Sequence, residues 1–325
     1  MTAGHFRRLF GFVAALLAAL ATPSYAQAPY PSRIIKLVVG FAAGGGNDII
    51  ARIIAQKLQE RLGQTVIVEN RAGAGGRLAA EFVKNAAPDG YTLLVGAAGA
   101  MTIIPAISEK PPYHGTKDFT PLSMVAAFPL ILVVNKDHPA KNVQELIAWM
   151  KANPDKSNYA TSSPAFTLAT ELFKLRSGAP GTAIPYKSSN ESILSVIGGQ
   201  SLLTIADPPP TTPQVLGQQV RGLAVLDAHR LSDLPDVPTM AEAGVADVNV
   251  SLWSGLFGPA RLPPEIARRL EGEIMKIMQM DDVKDKFKKM ATPTVGSSAA
   301  DFARIIDEQT KTWAEVGRVA NVRLE

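Results

Sequence analysis

Three short segments of this chain are apolar at almost every position: KLVVGF at residues 36–41, TVIVEN at 65–70 and YTLLVG at 91–96. A strand with one wet face alternates apolar and polar residues. A strand that is apolar at odd and even positions alike needs cover on both faces. A small-residue turn and a stretch of helical spacing follow each segment: 48–62, 78–85, and a short one after AAGAM at 97–101. Strand, turn and helix repeated in this way predict an α/β fold built on buried, mostly parallel sheet.

Two longer apolar runs break the rhythm. LSMVAAFPLILVVNKDHP at 122–139 is too long for one ordinary strand, and VSLWSGLFGPARLP at 250–263 is its counterpart near the other end. Between them lie a helix at 143–154, the strand-and-loop segment SNYATSS at 157–163, a helix at 167–177, and three further strands in GTAIPYKSS (181–189), SLLTIADPPP (201–210) and VRGLAVLD (220–227). The tail reads as helices at 264–278, 281–290 and 299–314, with Asp281 and Ser298 as N-caps. If each long run crosses between two bodies, residues 29–128 and 252–325 form a first lobe and residues 129–251 a second. Each lobe is then a doubly wound, mostly parallel sheet. A ligand would sit between the lobes at the strand ends, and closure would hinge near 124–134 and 248–258.

The N-terminus, MTAGHFRRLFGFVAALLAALATPSYAQA, has two arginines, an apolar stretch over residues 9–20 and small residues at Ser24 and Ala26. That is the pattern of a secretory signal cut after Ala26, too short to span a bilayer at about 20 residues. Residues 1–26 are therefore expected to leave, and the mature chain to be a periplasmic protein. Losing Arg7 and Arg8 lowers the 33 Lys and Arg to 31 against 29 acidic residues, a net charge of about +2. With no basic stripe, nucleic acid is not an expected partner. The chain has no cysteine, so neither disulfides nor thiolate metal ligands are available.

The glycine-rich turns invite a nucleotide reading, which fails on inspection. Gly40 and Gly45 have phosphate-loop spacing, but Gly46 and Asn47 follow where Lys and Ser/Thr are needed. A dinucleotide fingerprint starts at Gly44 and Gly46 and again at Gly73 and Gly75, with Ile49 and Leu78 in the place of the third glycine. What remains is simpler. Bare N–H groups at a helix N-terminus bind an anion without a cationic side chain. Gly44, Gly45 and Gly46 leave room for one, with Asn47 as the expected cap, and the loop of Gly96, Ala97, Ala98, Gly99 and Ala100 is a second candidate. For either loop alone an ordinary strand–helix turn fits as well. Two such loops at neighbouring strand ends of an exported, two-lobed chain favour a clamp for a carboxylate. Asp48 and Arg52, at i and i+4, read as a surface pair that supports the helix end.

Chemistry has little else to work with. His114, His138 and His229 lie in separate polar loops, and neither H-E-x-x-H nor G-x-S-x-G occurs. No catalytic residue, metal site or cofactor is expected. Trp253 stands out among the tryptophans because it lies on a crossing run.

The segments YPSRIIKLVVGFAAGGGNDIIARIIAQKLQERLGQTVIVENRAGAGG (30–76), AAPDGYTLLVG (86–96), KDFTPLSMVA (117–126), IPYKSSNESILSVIGGQ (184–200), LPDVPTMAEAG (234–244) and LWSGLFGPARLP (252–263) resemble the Bug-type solute receptors of tripartite tricarboxylate transporters, in the family's order. The resemblance implies a two-lobed periplasmic binding protein of type II. Such a protein binds a small organic acid (a dicarboxylate, tricarboxylate, acidic amino acid or aromatic carboxylate) without chemistry and passes it as a monomer to integral membrane subunits. For this chain a small dicarboxylate is expected. A carboxylate-sensing receptor, or one for aromatic acids or amino acids, would use the same fold. The first and third loops of the family hold one carboxylate, which carries onto Phe41, Ala43, Gly44, Gly45, Gly46 and Asn47, and onto Gly96, Ala97, Ala98, Gly99 and Ala100. The distal end of the ligand is expected at Thr161, Ser162, Ser163, Ala165, Phe166 and Thr167, with Tyr186 and Asp207. Here the chain departs from its family. ATSSPAFTLAT (160–170) is shorter than usual, and the customary Asp-Asn becomes ADPPP (206–210). Asp207 would repel a second carboxylate unless water, protonation or distance intervenes.

Overall fold

The computed structural model describes residues 30–320, and residues from Arg33 onward cluster as one unit. The expected secretory signal, 1–26, lies outside the described residues. Strands β1 (Ile35–Val39), β2 (Val66–Asn70) and β3 (Thr92–Ala97) form where the continuous apolar segments stand. The cover on both faces is real: Leu37, Val38 and Val39, consecutive in β1, are all fully buried, and so are Leu93 and Val95 in β3. Each such side chain contributes roughly 1.5–3 kcal/mol by leaving water.

β4 (Phe119–Pro129) and β10 (Ser251–Pro259) complete a five-stranded sheet of order β2-β1-β3-β10-β4. β1 runs parallel to β2 and β3, and β10 is antiparallel to both its neighbours. The second sheet takes β5 (Ile131–Asn135), β6 (Asn158–Thr161), β7 (Thr182–Pro185), β8 (Leu203–Ala206) and β9 (Val220–Val225). Its order is β7-β6-β8-β5-β9, again with three parallel strands followed by one reversed strand, β5. The two lobes therefore share one plan. In each, the reversed strand is the one that has just arrived from the other sheet.

The long run 122–139 breaks at a single residue. β4 ends at Pro129 and β5 begins at Ile131, so the chain changes sheets at Leu130. It returns at Ser251, which pairs with Pro129. The two crossings are stitched together through Leu226, whose N–H donates to Leu130 O at 2.9 Å and whose carbonyl accepts from Val250 N–H at 2.9 Å.

Helix α1 (Gly46–Leu62) follows β1, and α2 (Arg77–Lys84) follows β2. After β3 a π-helical turn (Gly99–Ile103) leads into α3 (Ile104–Ile107). The second sheet carries α4 (Val143–Ala152), α5 (Pro164–Ser177), α6 (Ser189–Ile197) and α7 (Pro208–Leu216). The tail forms α8 (Pro264–Gln279), α9 (Asp281–Lys288) and α10 (Ala299–Ala320). Ser298 caps α10 as expected, accepting from Asp301 N–H at 3.1 Å. Asp281 does not cap α9: it is the first helical residue, and Met280 holds the cap position. An acidic side chain there still favours the positive end of the helix.

Candidate functional site

The loop between β1 and α1 is shaped by Gly44 and held by Asp48. Gly44 has φ +82°, the left-handed conformation that glycine adopts without strain. Gly45 and Gly46 do not, since Gly45 is extended at φ −73° and Gly46 opens the helix. Asp48 is buried, not part of a surface pair. One of its carboxylate oxygens accepts from Gly44 N–H and Arg52 Nε, both at 2.9 Å, and the other from Asn70 Nδ2 at 2.9 Å. Asn70 also donates to Phe41 O at 3.0 Å, so this network ties both ends of the loop to the end of β2.

Burial works to raise the Asp48 carboxyl pKa. The hydrogen bonds from Arg52, Gly44 and Asn70, together with the Arg52 charge, outweigh it and hold the group below the ordinary carboxylate range. A depressed folded pKa means that this contribution is complete above the unfolded value of about 4 and is lost as pH falls through the folded one. Asp48→Asn is expected to cost about 1.5–3 kcal/mol at neutral pH and to flatten the acid limb of stability, as read by urea titrations below pH 4. An unaltered acid limb would remove Asp48 from this role.

Asn47 is not the cap of α1. The cap position is Gly45, with no side-chain bond, and Asn47 lies in the first turn, its Oδ1 accepting from Ser254 Oγ at 2.8 Å. The first turn is buried and carries no side-chain cap. Asp48 N–H turns back to Gly45 O at 3.0 Å, and the N–H groups of Gly46 and Asn47 have no backbone acceptor within the helix. Two polar contacts reach this loop from the second sheet: Gly46 N–H points to Ser189 Oγ at 3.5 Å, and Ala42 N–H donates to Lys187 O at 3.2 Å.

Between the loops is a cavity of about 20 Å³, room for little more than one water. From the first sheet it is lined by Phe41, Gly45, Gly46, Asn47, Ala97, Ala98 and Gly99; from the second by Ser162, Ser163, Ala165, Phe166 and Asp207. Other expected residues stand apart. Ala43, Gly44, Gly96 and Ala100 do not line it. Gly96 is required by packing instead, because a Cβ there would lie 2.8 Å from the Phe257 ring. Thr161, Thr167 and Tyr186 line a neighbouring groove of about 390 Å³ that shares Ser162 and Ser163 with the cavity.

Four lining residues were absent from the expected set: Phe128, Ser189, Leu252 and Trp253. All but Ser189 come from the crossing strands. Trp253 is buried and fixed by an Nε1 hydrogen bond to Gln309 Oε1 at 2.7 Å. The signal for it was its place on a crossing run. Ser189 follows a strand within SSNE, which advertises only the helix start that Ser188 caps.

Among the described residues lining the cavity, Asp207 is the only ionisable one. Burial pushes its carboxyl up to about 6, against hydrogen bonds from the Ser189 hydroxyl and its own N–H. Its Oδ1 and Ser162 Oγ are buried without any protein partner. The histidines lie elsewhere: His114 Nδ1 is 3.2 Å from Thr116 Oγ1, and His138 packs edge-on against Trp149. No cluster of three or more potential metal ligands occurs among the described residues.

The family described as the tripartite tricarboxylate transporter family receptor matches this chain over residues 50–322. Protein BugT of Bordetella pertussis (strain Tohama I) is 35% identical over 316 residues, covering 95% of each chain. The periplasmic binding protein BugD superposes with a TM-score of 0.87 at 30% identity, over 91% of this chain and 100% of that one. Rpa4515 of R. palustris, solved with adipate, superposes with a TM-score of 0.86 at 32% identity, over 90% of this chain and 98% of that one.

Proposed function

This chain belongs to the tripartite tricarboxylate transporter family of receptors, and from that premise we propose that it captures a small organic dicarboxylate and delivers it, as a monomer, to the membrane subunits of such a transporter. Proteins of this family are binding receptors, not enzymes, and membership implies the periplasm. Export by a signal removed after Ala26 belongs to the proposal.

One observation carries the ligand class. The uncapped first turn of α1 opens onto a cavity in which Ser162 Oγ has no other partner. Backbone N–H groups at a helix start seat a carboxylate, and a serine hydroxyl can donate to it. Phe41, Phe128, Phe166 and Trp253 supply apolar wall for the carbon chain between two acid groups. The adipate bound by the similar protein Rpa4515 has that form.

A cavity with room for one water admits no diacid, so binding requires the lobes to part. Residues 29–128 with 252–325 would move as one body and 129–251 as the other, turning about Leu130 and Val250. Closure then expels water and strengthens each backbone–anion contact.

The test is a thermal-shift and calorimetric screen of linear diacids, aromatic acids and amino acids. A diacid at 100 times its Kd is expected to add about 2.7 kcal/mol of stability. If only compounds without a carboxylate shift the melting curve, the ligand class is wrong. Ser162→Ala is expected to weaken diacid binding by about 1 kcal/mol or more without loss of stability, since the hydroxyl it removes has no protein partner. Equal affinity in the variant would move the donor elsewhere.

A further inference from the structure

Asp207 is held in the charged form only by the Ser189 hydroxyl and its own N–H, and burial outweighs them. It stands at the N-cap of α7, where a carboxylate usually accepts from the N–H groups two and three residues on. Here the first three helical residues are Pro208, Pro209 and Pro210, and none has an N–H. Its Oδ1 is unpartnered.

The charged groups on elements packed against α7 are committed elsewhere. On α1, Asp48 is bonded to Gly44, Arg52 and Asn70, Lys57 pairs with Glu60 and Asp282, and Arg61 pairs with Glu273. On α6, Glu191 accepts from Lys187 N–H. On β9, Arg221 donates to the carbonyls of Lys136, His138 and Ala140. Among the described residues of these three elements, no cation pairs with Asp207.

The position of the carboxylate completes the case. A Cβ built on Gly46 would lie 1.6 Å from Asp207 Oδ2 and 2.7 Å from its Cγ. The carboxylate is thus pressed against the first turn of α1, the same backbone that would seat the ligand's carboxylate. Two carboxylates this close in a dry site cannot both be ionised. Sharing one proton turns the repulsion into a short, charge-assisted O–H···O⁻ bond.

We propose that Asp207 is a specificity-determining residue that works as a carboxylic acid, donating a hydrogen bond to a ligand carboxylate, so that each dicarboxylate bound takes up one proton. The inference rests on the dicarboxylate reading above. The balance is simple: the ionised Asp207 of the open receptor, one solvent proton and the dianion give a closed complex in which Asp207 is neutral. In the closed cavity burial, against the hydrogen bonds from Ser189 and its own N–H, raises the Asp207 carboxyl to about 6, and a neighbouring anion raises it further. Between the free and bound values the complex holds more protons than the free receptor, so affinity falls as pH rises.

The experiment is calorimetry of the exported protein with adipate at pH 7.5 in two buffers of different ionisation enthalpy, repeated from pH 7 to 9. Close to one proton is expected to be taken up per adipate, with Kd weakening by up to about tenfold per pH unit. Asp207→Asn, which mimics the protonated acid in shape, is expected to bind adipate with no proton uptake and nearly flat affinity over that range. Adipate binding to the unaltered protein without proton uptake overturns the inference and leaves the dicarboxylate reading intact. Uptake that persists in Asp207→Asn overturns it as well, since the proton then resides on the ligand. If no diacid gives heat at any pH, both readings fall together.

Discussion

Gly46→Val is expected to lower solute affinity at least about a hundredfold, near 2.7 kcal/mol, while leaving the ligand-free protein folded. Gly46 has an ordinary helical conformation, so valine meets no backbone strain there and loses nothing in helix propensity, glycine being the poorer helix former. The obstacle is Asp207, whose Oδ2 and Cγ lie 1.6 and 2.7 Å from the new Cβ. Asp207 is buried, and overpacking a closed contact costs typically about 1–3 kcal/mol and occasionally more. Gly46 follows the first sheet and Asp207 the second, so parting the lobes relieves the clash, and the penalty falls on closure.

The measurement is small-angle scattering and calorimetry with adipate. The variant's profile is expected to stay the same with and without ligand, and its melting curve not to respond. Gly44→Val is a useful contrast: its φ of +82° strains any branched residue, so that change is expected to lower stability before ligand is added. If Gly46→Val binds adipate as the unaltered protein does, the contact with Asp207 is absent from the bound state, and the closed geometry is not the binding one.

The first lobe was legible because its strands carry the information locally. KLVVGF, TVIVEN and YTLLVG are apolar at successive positions, a pattern that fits only a sheet covered on both faces, and the turns after them mark the strand ends. The loops proposed as an anion seat could be located for the same reason, since they are the local turns at those strand ends.

What stayed hidden depends on contacts between distant segments. The i, i+4 spacing of Asp48 and Arg52 was visible, but not the Asn70 side chain that comes 22 residues later and turns the pair into a buried anchor. Asn47 looked like a cap because caps are a local choice; Ser254, 207 residues away, takes its side chain instead. Gly46 drew notice for the room it leaves an anion. Its real constraint, Asp207, lies across the cavity and appears only when the second sheet is set against the first. Ser189 escaped notice for the same reason. Its role at the cavity follows from lobe placement, while its sequence context records only a helix start.

The second large effect is on stability and lies behind the cavity, where α10 returns to the first sheet. Phe302→Ala is expected to cost about 3–5 kcal/mol. The ring is fully buried, with its centroid 4.9 Å from the Trp253 ring and 5.0 Å from that of Phe257. It also covers Gly255: a Cβ there would meet Phe302 Cζ at 2.2 Å and the Ser123 carbonyl oxygen at 3.0 Å. Gly255→Ala is therefore expected to cost about 1–3 kcal/mol by overpacking. The two changes press on one space from opposite sides. The double variant should thus cost less than the sum, with a coupling of about 0.5–3 kcal/mol, because the alanine methyl enters part of the void left by the ring. Urea titrations with an unchanged slope would measure each term, and strict additivity would mean that Phe302 does not set the requirement for glycine. Binding should report the same contact. Trp253 lines the cavity and takes its support from Phe302 and Gln309, both on α10. Removing the Phe302 ring loosens that wall, so diacid affinity is expected to fall along with stability, although Phe302 itself does not line the cavity.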